Sequence, residues 1–127
     1  MDSLYASIPA EFLNHEMFEQ LIELEREDPG FLKDIIATFI SQATSSLESL
    51  QIQLAQRNLP EISRIGHLLK GASAVIGLST LSSTFERIQY LGESNDSPFE
   101  TVQNEIQLAN LQFQMAKELL NRTLLYL

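Results

Sequence analysis

The chain has 127 residues, 44% of them hydrophobic and 20% charged, which suits one packed domain and argues against global disorder. It has no cysteine, which excludes disulfides, thiolate-ligated zinc and thiol nucleophiles, and its two histidines are too few for an all-histidine metal centre. Eight basic against seventeen acidic residues give a net charge of −9, which disfavours binding to a nucleic-acid backbone.

No segment holds a strict period of two among β-branched residues, so the expectation is all-α. A first helix is expected over residues 14–27, with Asn14 as its cap. Its apolar residues Met17, Phe18, Leu21, Ile22 and Leu24 form a face broader than one core contact needs. A second helix is expected over 29–56, with Asp28 as N-cap and Pro29 at the first helical position. Phe31, Ile35, Phe39, Ala43, Leu47, Leu50 and Leu54 would be its buried stripe. A third is expected over 59–76, starting near Pro60 and interrupted by Gly77. A fourth over 79–92 would be capped by Ser79. It carries Leu81, Phe85, Ile88 and Leu91, with Gly92 near its end. The fifth is expected over 98–126. Ser97, Pro98 and Glu100 fit the N-cap, first and third positions of a capping box. Phe99, Val102, Ile106, Ala109, Phe113, Ala116, Leu120, Thr123 and Leu127 then hold an alternating three-and-four spacing. At 1.5 Å per residue this helix would be roughly 44 Å long. The predicted architecture is an antiparallel four-helix bundle with an additional short N-terminal helix, one domain over 1–127.

No apolar run approaches the roughly 20 residues that span a bilayer, so no membrane segment is expected. No basic stretch followed by an apolar run opens the chain, so no secretory signal is expected either. There is no P-loop, kinase glycine-rich loop or HRD-type segment, so ATP-dependent kinase activity is not expected.

Charge is uneven along the chain. Residues 1–34 are strongly acidic, while residues 57–87 carry Arg57, Arg64, Lys70 and Arg87 against only Glu61 and Glu86. In this less acidic stretch, a helical wheel of residues 62–76 gathers Ile62, Ile65, Leu68, Leu69, Ala72 and Ile76 on one side. His67 falls on the opposite side and should face outward. Gly71 and Ala74 flank it with almost no side chain, and Arg64 and Lys70 lie one turn before and after. Glycine inside a helix costs about 0.5–1 kcal/mol relative to alanine, so Gly71 needs another reason. Close approach of another molecule to His67 is such a reason. A neutral imidazole nitrogen is a competent nucleophile near neutral pH, and Lys70 could offset phosphoryl charge. By exposure and neighbours alone, His67 also fits an ordinary surface histidine. No acid or histidine sits at 63, 64, 70, 71 or 74, so no metal site is assigned. His15, with no following Lys-Gly pair, is read as a surface or interface histidine.

The run His67-Leu68-Leu69-Lys70-Gly71-Ala72-Ser73-Ala74-Val75-Ile76-Gly77 resembles the signature of histidine-containing phosphotransfer domains. The run Phe85-Glu86-Arg87-Ile88-Gln89-Tyr90-Leu91-Gly92 is similar to fungal phosphorelay intermediates of the Ypd type. So are Ile8-Pro9-Ala10-Glu11 and Phe39-Ile40-Ser41-Gln42-Ala43. The resemblance implies that His67 takes a phosphoryl group from an aspartyl phosphate on the receiver domain of a hybrid histidine kinase. It would pass the group to the aspartate of a response-regulator receiver domain. It implies that Lys70 is the charge partner, Gly71 makes room for the receiver, Gly77 shapes a turn and Gln89 borders the site beside Arg64. Met17, Leu21 and Leu24, with Leu68, resemble the family's apolar docking patch. Met17 and Leu21 are read as interface ahead of core, and Leu68, at the edge of the buried face, fits either.

No cofactor is expected on this chain, Mg2+ belonging to the partner receiver domain. A monomer in cytoplasm and nucleus, serving a stress or osmotic phosphorelay as a free-standing carrier, is the implied setting. Two departures stand out. Ala72 occupies a position where relatives often have serine, and Glu93 one where a basic residue would fit better. The rival reading is a non-catalytic helical adaptor that binds partners through its first helix and does not depend on His67.

Overall fold

The computed structural model describes residues 12–125, and these contain five α-helices and no strand. They are α1 (His15–Glu27), α2 (Phe31–Ala55), α3 (Leu59–Val75), α4 (Ser79–Glu93) and α5 (Phe99–Leu124). The expectations for residues 8–11 and for positions 126 and 127 lie outside the described residues. No described helix is long and apolar enough to cross a membrane.

α2 packs on α3, α3 on α4, α4 on α5, and α5 closes the ring onto α2. Cross-contacts give the direction. Lys70 meets Glu86 and His67 meets Gln89, so α3 and α4 run antiparallel. Thr84 meets Gln112 and Arg87 meets Glu105, so α4 and α5 do too. Phe39 and Phe113 meet edge to face between α2 and α5, with ring centroids 6.0 Å apart. α1 packs on α2 and is tied to the end of α3, where the Asn14 amide donates to the Gly77 carbonyl at 2.7 Å.

Capping followed expectation at Asn14 and departed from it in three places. Asn14 Oδ1 accepts from the Met17 amide and Asn58 Oδ1 from the Glu61 amide, each satisfying a free first-turn donor. The start of α2 is a correction. Asp28 is not its N-cap and Pro29 is not inside it. Gly30 takes that position at φ +98°, a conformation that suits glycine. The Glu25 carboxylate reaches across the turn and accepts from the Gly30 and Leu32 amides at 2.8 and 3.1 Å. Nor does Ser79 cap α4. Leu78 holds the N-cap position without a side-chain bond, and Ser79 lies inside the helix. The capping box at α5 does not form either. Pro98 is the N-cap, and the Ser97 hydroxyl donates instead to the Leu91 carbonyl near the end of α4.

The α5 seam is buried at Val102, Ile106, Ala109, Phe113, Ala116, Leu120 and Thr123. Phe99 is the exception, lying partly exposed beneath the Arg57 guanidinium, 4.1 Å from its ring centroid. In α2 the buried stripe starts at Leu32 and Ile36 rather than Phe31 and Ile35. Those two are only partly buried and line a groove with Ala72 and Val75 of α3.

Candidate functional site

α3 positions the site. His67 sits at its midpoint, eight residues from either end, and is exposed. Its buried face holds Ile62, Ile65, Gly66, Leu69 and Ser73. Relative to the sequence wheel that face is turned by about 50° toward Gly66 and Ser73. The cause is α4. A Cβ on Gly66 would lie 2.9 Å from the Gln89 amide nitrogen, and one on Gly92 would lie 2.6 Å from that of Ser63. The two helix backbones meet at these glycines. The rotation leaves His67 facing outward and pushes Leu68 off the core, to 41% exposure.

Gly71 behaves in the opposite way. A Cβ there would meet nothing within 4 Å. No contact among the described residues requires glycine at that position, so a reason from outside the described fold is favoured. Gly77 is the turn expected of it. At φ +77° it follows the α3 C-cap. Its amide donates to Ala74 and that of Leu78 to Ser73, a paired arrangement that satisfies two terminal carbonyls.

Polar neighbours of His67 come from both helices. Nδ1 lies 3.3 Å from Gln89 Oε1. Gln89 in turn donates through Nε2 to Glu93 Oε1 at 3.2 Å. Nε2 of His67 has no hydrogen-bond partner among the described residues. The Lys70 ammonium is paired with Glu86 at 3.0 Å. The hydrogen bond it donates to Glu86 holds the lysine above its ordinary pKa despite partial desolvation. Arg64 is directed back along α3 to Glu61, donating through Nε at 2.8 Å, and that bond pulls the Glu61 carboxyl below the usual carboxylate range. Both cations expected beside His67 are therefore already matched by carboxylates.

The proposed apolar patch divides. Leu24 is 43% exposed and Met17 is half-buried beside Gly77. Leu21 is a correction: at 5% exposure it packs in the core with Phe18 and Ile22, because those three form the side of α1 that meets the bundle. Gly77, where α1 makes its contact, is ten residues beyond His67, roughly 15 Å of helical rise along the α3 axis. Val75, exposed and not anticipated, lies two turns beyond Leu68 on the same face of α3.

Glu86 and Glu93 were not anticipated as partners of site residues. The signal was available. The short α3–α4 connection makes an antiparallel hairpin, and the pairs His67–Gln89 and Lys70–Glu86 are both symmetric about residue 78. The close contacts at Gly66 and Gly92 were not anticipated, Gly92 being read from the sequence only as a glycine near a helix end.

An Hpt domain profile matches residues 34–121. Phosphorelay intermediate protein YPD1 of Saccharomyces cerevisiae is 36% identical over 106 residues, which are 83% of this chain and 62% of that protein. Multistep phosphorelay regulator 1 of Schizosaccharomyces pombe is 36% identical over 101 residues, 77% of this chain and 34% of that protein. The chain thus spans less than two thirds of the length of these curated relatives. A solved structure of Saccharomyces cerevisiae Ypd1, crystallised with the receiver domain of its downstream response regulator Ssk1, matches at a TM-score of 0.81 and 26% identity. The match covers 92% of this chain and 97% of that one.

Proposed function

Because this chain belongs to the Hpt domain family, we propose that it is a phosphorelay intermediate carrying a phosphoryl group on His67 between two receiver domains. The observation that carries this reading is the open ground around the imidazole. His67 is exposed at the middle of α3, and a Cβ at Gly71 would meet no atom of the described residues within 4 Å. The relative from Saccharomyces cerevisiae is crystallised with a receiver domain, and the same class of partner is proposed here.

The step is a displacement at phosphorus. The lone pair of His67 Nε2 attacks the phosphorus of an aspartyl phosphate on the donor receiver. The N–P bond forms as the P–O bond to the aspartyl carboxylate breaks, and that carboxylate leaves with the electron pair. Nδ1 keeps its proton throughout, shared with Gln89 Oε1. The ring thereby gains positive charge, which the phosphoryl oxygens offset. In the second transfer the acceptor's aspartate attacks phosphorus and the ring recovers its lone pair. Lys70 contributes a positive charge one turn from the imidazole. Leu68 and Leu24, with Val75, supply the exposed apolar surface for docking, with Met17 at its edge.

The test is transfer of radiolabelled phosphate from a phosphorylated receiver domain, run beside a folded His67→Ala variant in neutral or basic solution. Label on the native chain and none on the variant is the expected result. No label on the native chain from several receivers would favour the helical adaptor. Label on both would move the nucleophile away from His67.

A further inference from the structure

Gln89 can face His67 with either end of its amide. The carbonyl end accepts a proton from the ring, and the amino end donates one to it. These two arrangements require opposite tautomers of a neutral imidazole. With the carbonyl toward Nδ1, that nitrogen carries the proton and Nε2 keeps its lone pair. With the amino group toward Nδ1, the proton moves to Nε2, and no ring nitrogen presents a free lone pair outward.

One neighbour distinguishes the two ends. Glu93 lies four residues beyond Gln89 on α4, on the same helix face. An ionised carboxylate only accepts, so it binds the amino end of the amide. The distances follow that order: Gln89 Nε2 to Glu93 Oε1 is 3.2 Å and Gln89 Oε1 to His67 Nδ1 is 3.3 Å. Glu93 is also near enough to Lys70 to help hold that ammonium charged, which places its carboxylate within electrostatic reach of the site.

We infer that Glu93 is a positioning residue which, by orienting the Gln89 amide, sets the His67 tautomer and leaves Nε2 as the nucleophile. Glu93 does not touch the phosphoryl group in this scheme. Its effect on transfer rests on the proposed function; its effect on the tautomer does not.

The experiment reads the tautomer directly. Long-range proton–nitrogen correlation spectra of the full 15N-labelled chain are recorded through a pH series, and the ratio is read on the basic plateau, where the ring-nitrogen shifts no longer change. His15, the only other histidine, serves as an internal control. The native His67 ring should be mainly Nδ1–H. In Glu93→Ala the ratio should move toward Nε2–H by about threefold to tenfold, the net worth of one hydrogen bond. Glu93→Gln keeps an acceptor oxygen and should retain most of the native ratio. The His15 ratio should not change in any variant. A native ring that is mainly Nε2–H, or an equal ratio in native and Glu93→Ala, overturns the inference.

In the transfer assay, Glu93→Ala should accept label more slowly, in proportion to the fall in its Nδ1–H fraction, while receiver affinity is unchanged. Loss of affinity with an unchanged tautomer would make Glu93 a docking residue instead and overturn the inference. If the native chain takes no label at all, the transfer reading fails, and the tautomer ratios still decide the role of Glu93.

Discussion

Lys70 illustrates how one residue's partners define its chemistry. From α3 alone it is a free cation one turn after the imidazole. Across the helix pair it is half of an ion pair with Glu86, and that bond keeps the ammonium charged to higher pH than an isolated lysine. The sign of the linkage follows. A raised lysine pKa contributes stability that is fully present below about pH 10.5 and lost as pH rises through the folded value. The pair is partly exposed, so its weight in folding is small. Its weight in transfer is expected to be larger, because a phosphoryl group on His67 competes with Glu86 for the ammonium. Replacing Glu86 with glutamine should leave the melting temperature nearly unchanged. It should also speed phosphoryl acceptance and lengthen the phosphohistidine lifetime by a few-fold. Equal rates in both proteins would mean that Lys70 never changes partner.

At the scale of elements, the contact between α3 and α4 builds the site. Gly66 and Gly92 let two backbones approach, and that approach brings Gln89 and Glu86 against the face carrying His67 and Lys70. Glycines on the same two helices should therefore respond differently to substitution. In Gly92→Ala the new methyl would fall 2.6 to 2.8 Å from the backbone of Leu59 and Ser63, and the helices must part. The expected cost is about 1–3 kcal/mol, read as a lower denaturation midpoint. In Gly71→Ala the methyl enters open space and helix propensity improves, so stability should rise by about 0.5–1 kcal/mol. A bulky side chain at Gly71 should weaken receiver binding without lowering stability. A folded bulky variant that docks and transfers normally would remove the clearance argument.

The whole molecule is a closed ring of four helices with α1 laid on α2 at one end, and this placement divides α1 into two faces. Leu21 falls on the buried face and Leu24 on the exposed one. Leu21→Ala should cost about 2–5 kcal/mol in denaturant unfolding, the range for emptying a leucine site in a core. Leu24→Ala should change stability by less than about 0.5 kcal/mol. If α1 contributes to docking, Leu24→Ala should weaken receiver binding in titration calorimetry, while a small stability loss in Leu21→Ala would put that residue back on the surface.

Much of this protein was legible in the sequence because the deciding physics is local. Helical period alone identified five helices, the α5 seam and the outward direction of His67, since a turn of helix is set by residues three and four apart. Asn14 announced its cap because a capping bond spans three residues. The rest depended on groups far apart along the chain. Glu25 displaced Asp28 and Pro29 at the start of α2, and Ser97 gave its hydroxyl to Leu91 rather than to its own helix. Leu21 went into the core because α1 meets α2 on that side. The rotation of α3 that exposed Leu68 came from glycines pressed against another backbone. The chain by itself pointed to His67 as the proposed nucleophile and determined that it faces outward. Only the tertiary structure decided what His67 and Lys70 touch, because hydrogen bonds and ion pairs between helices depend on how closely two backbones can approach.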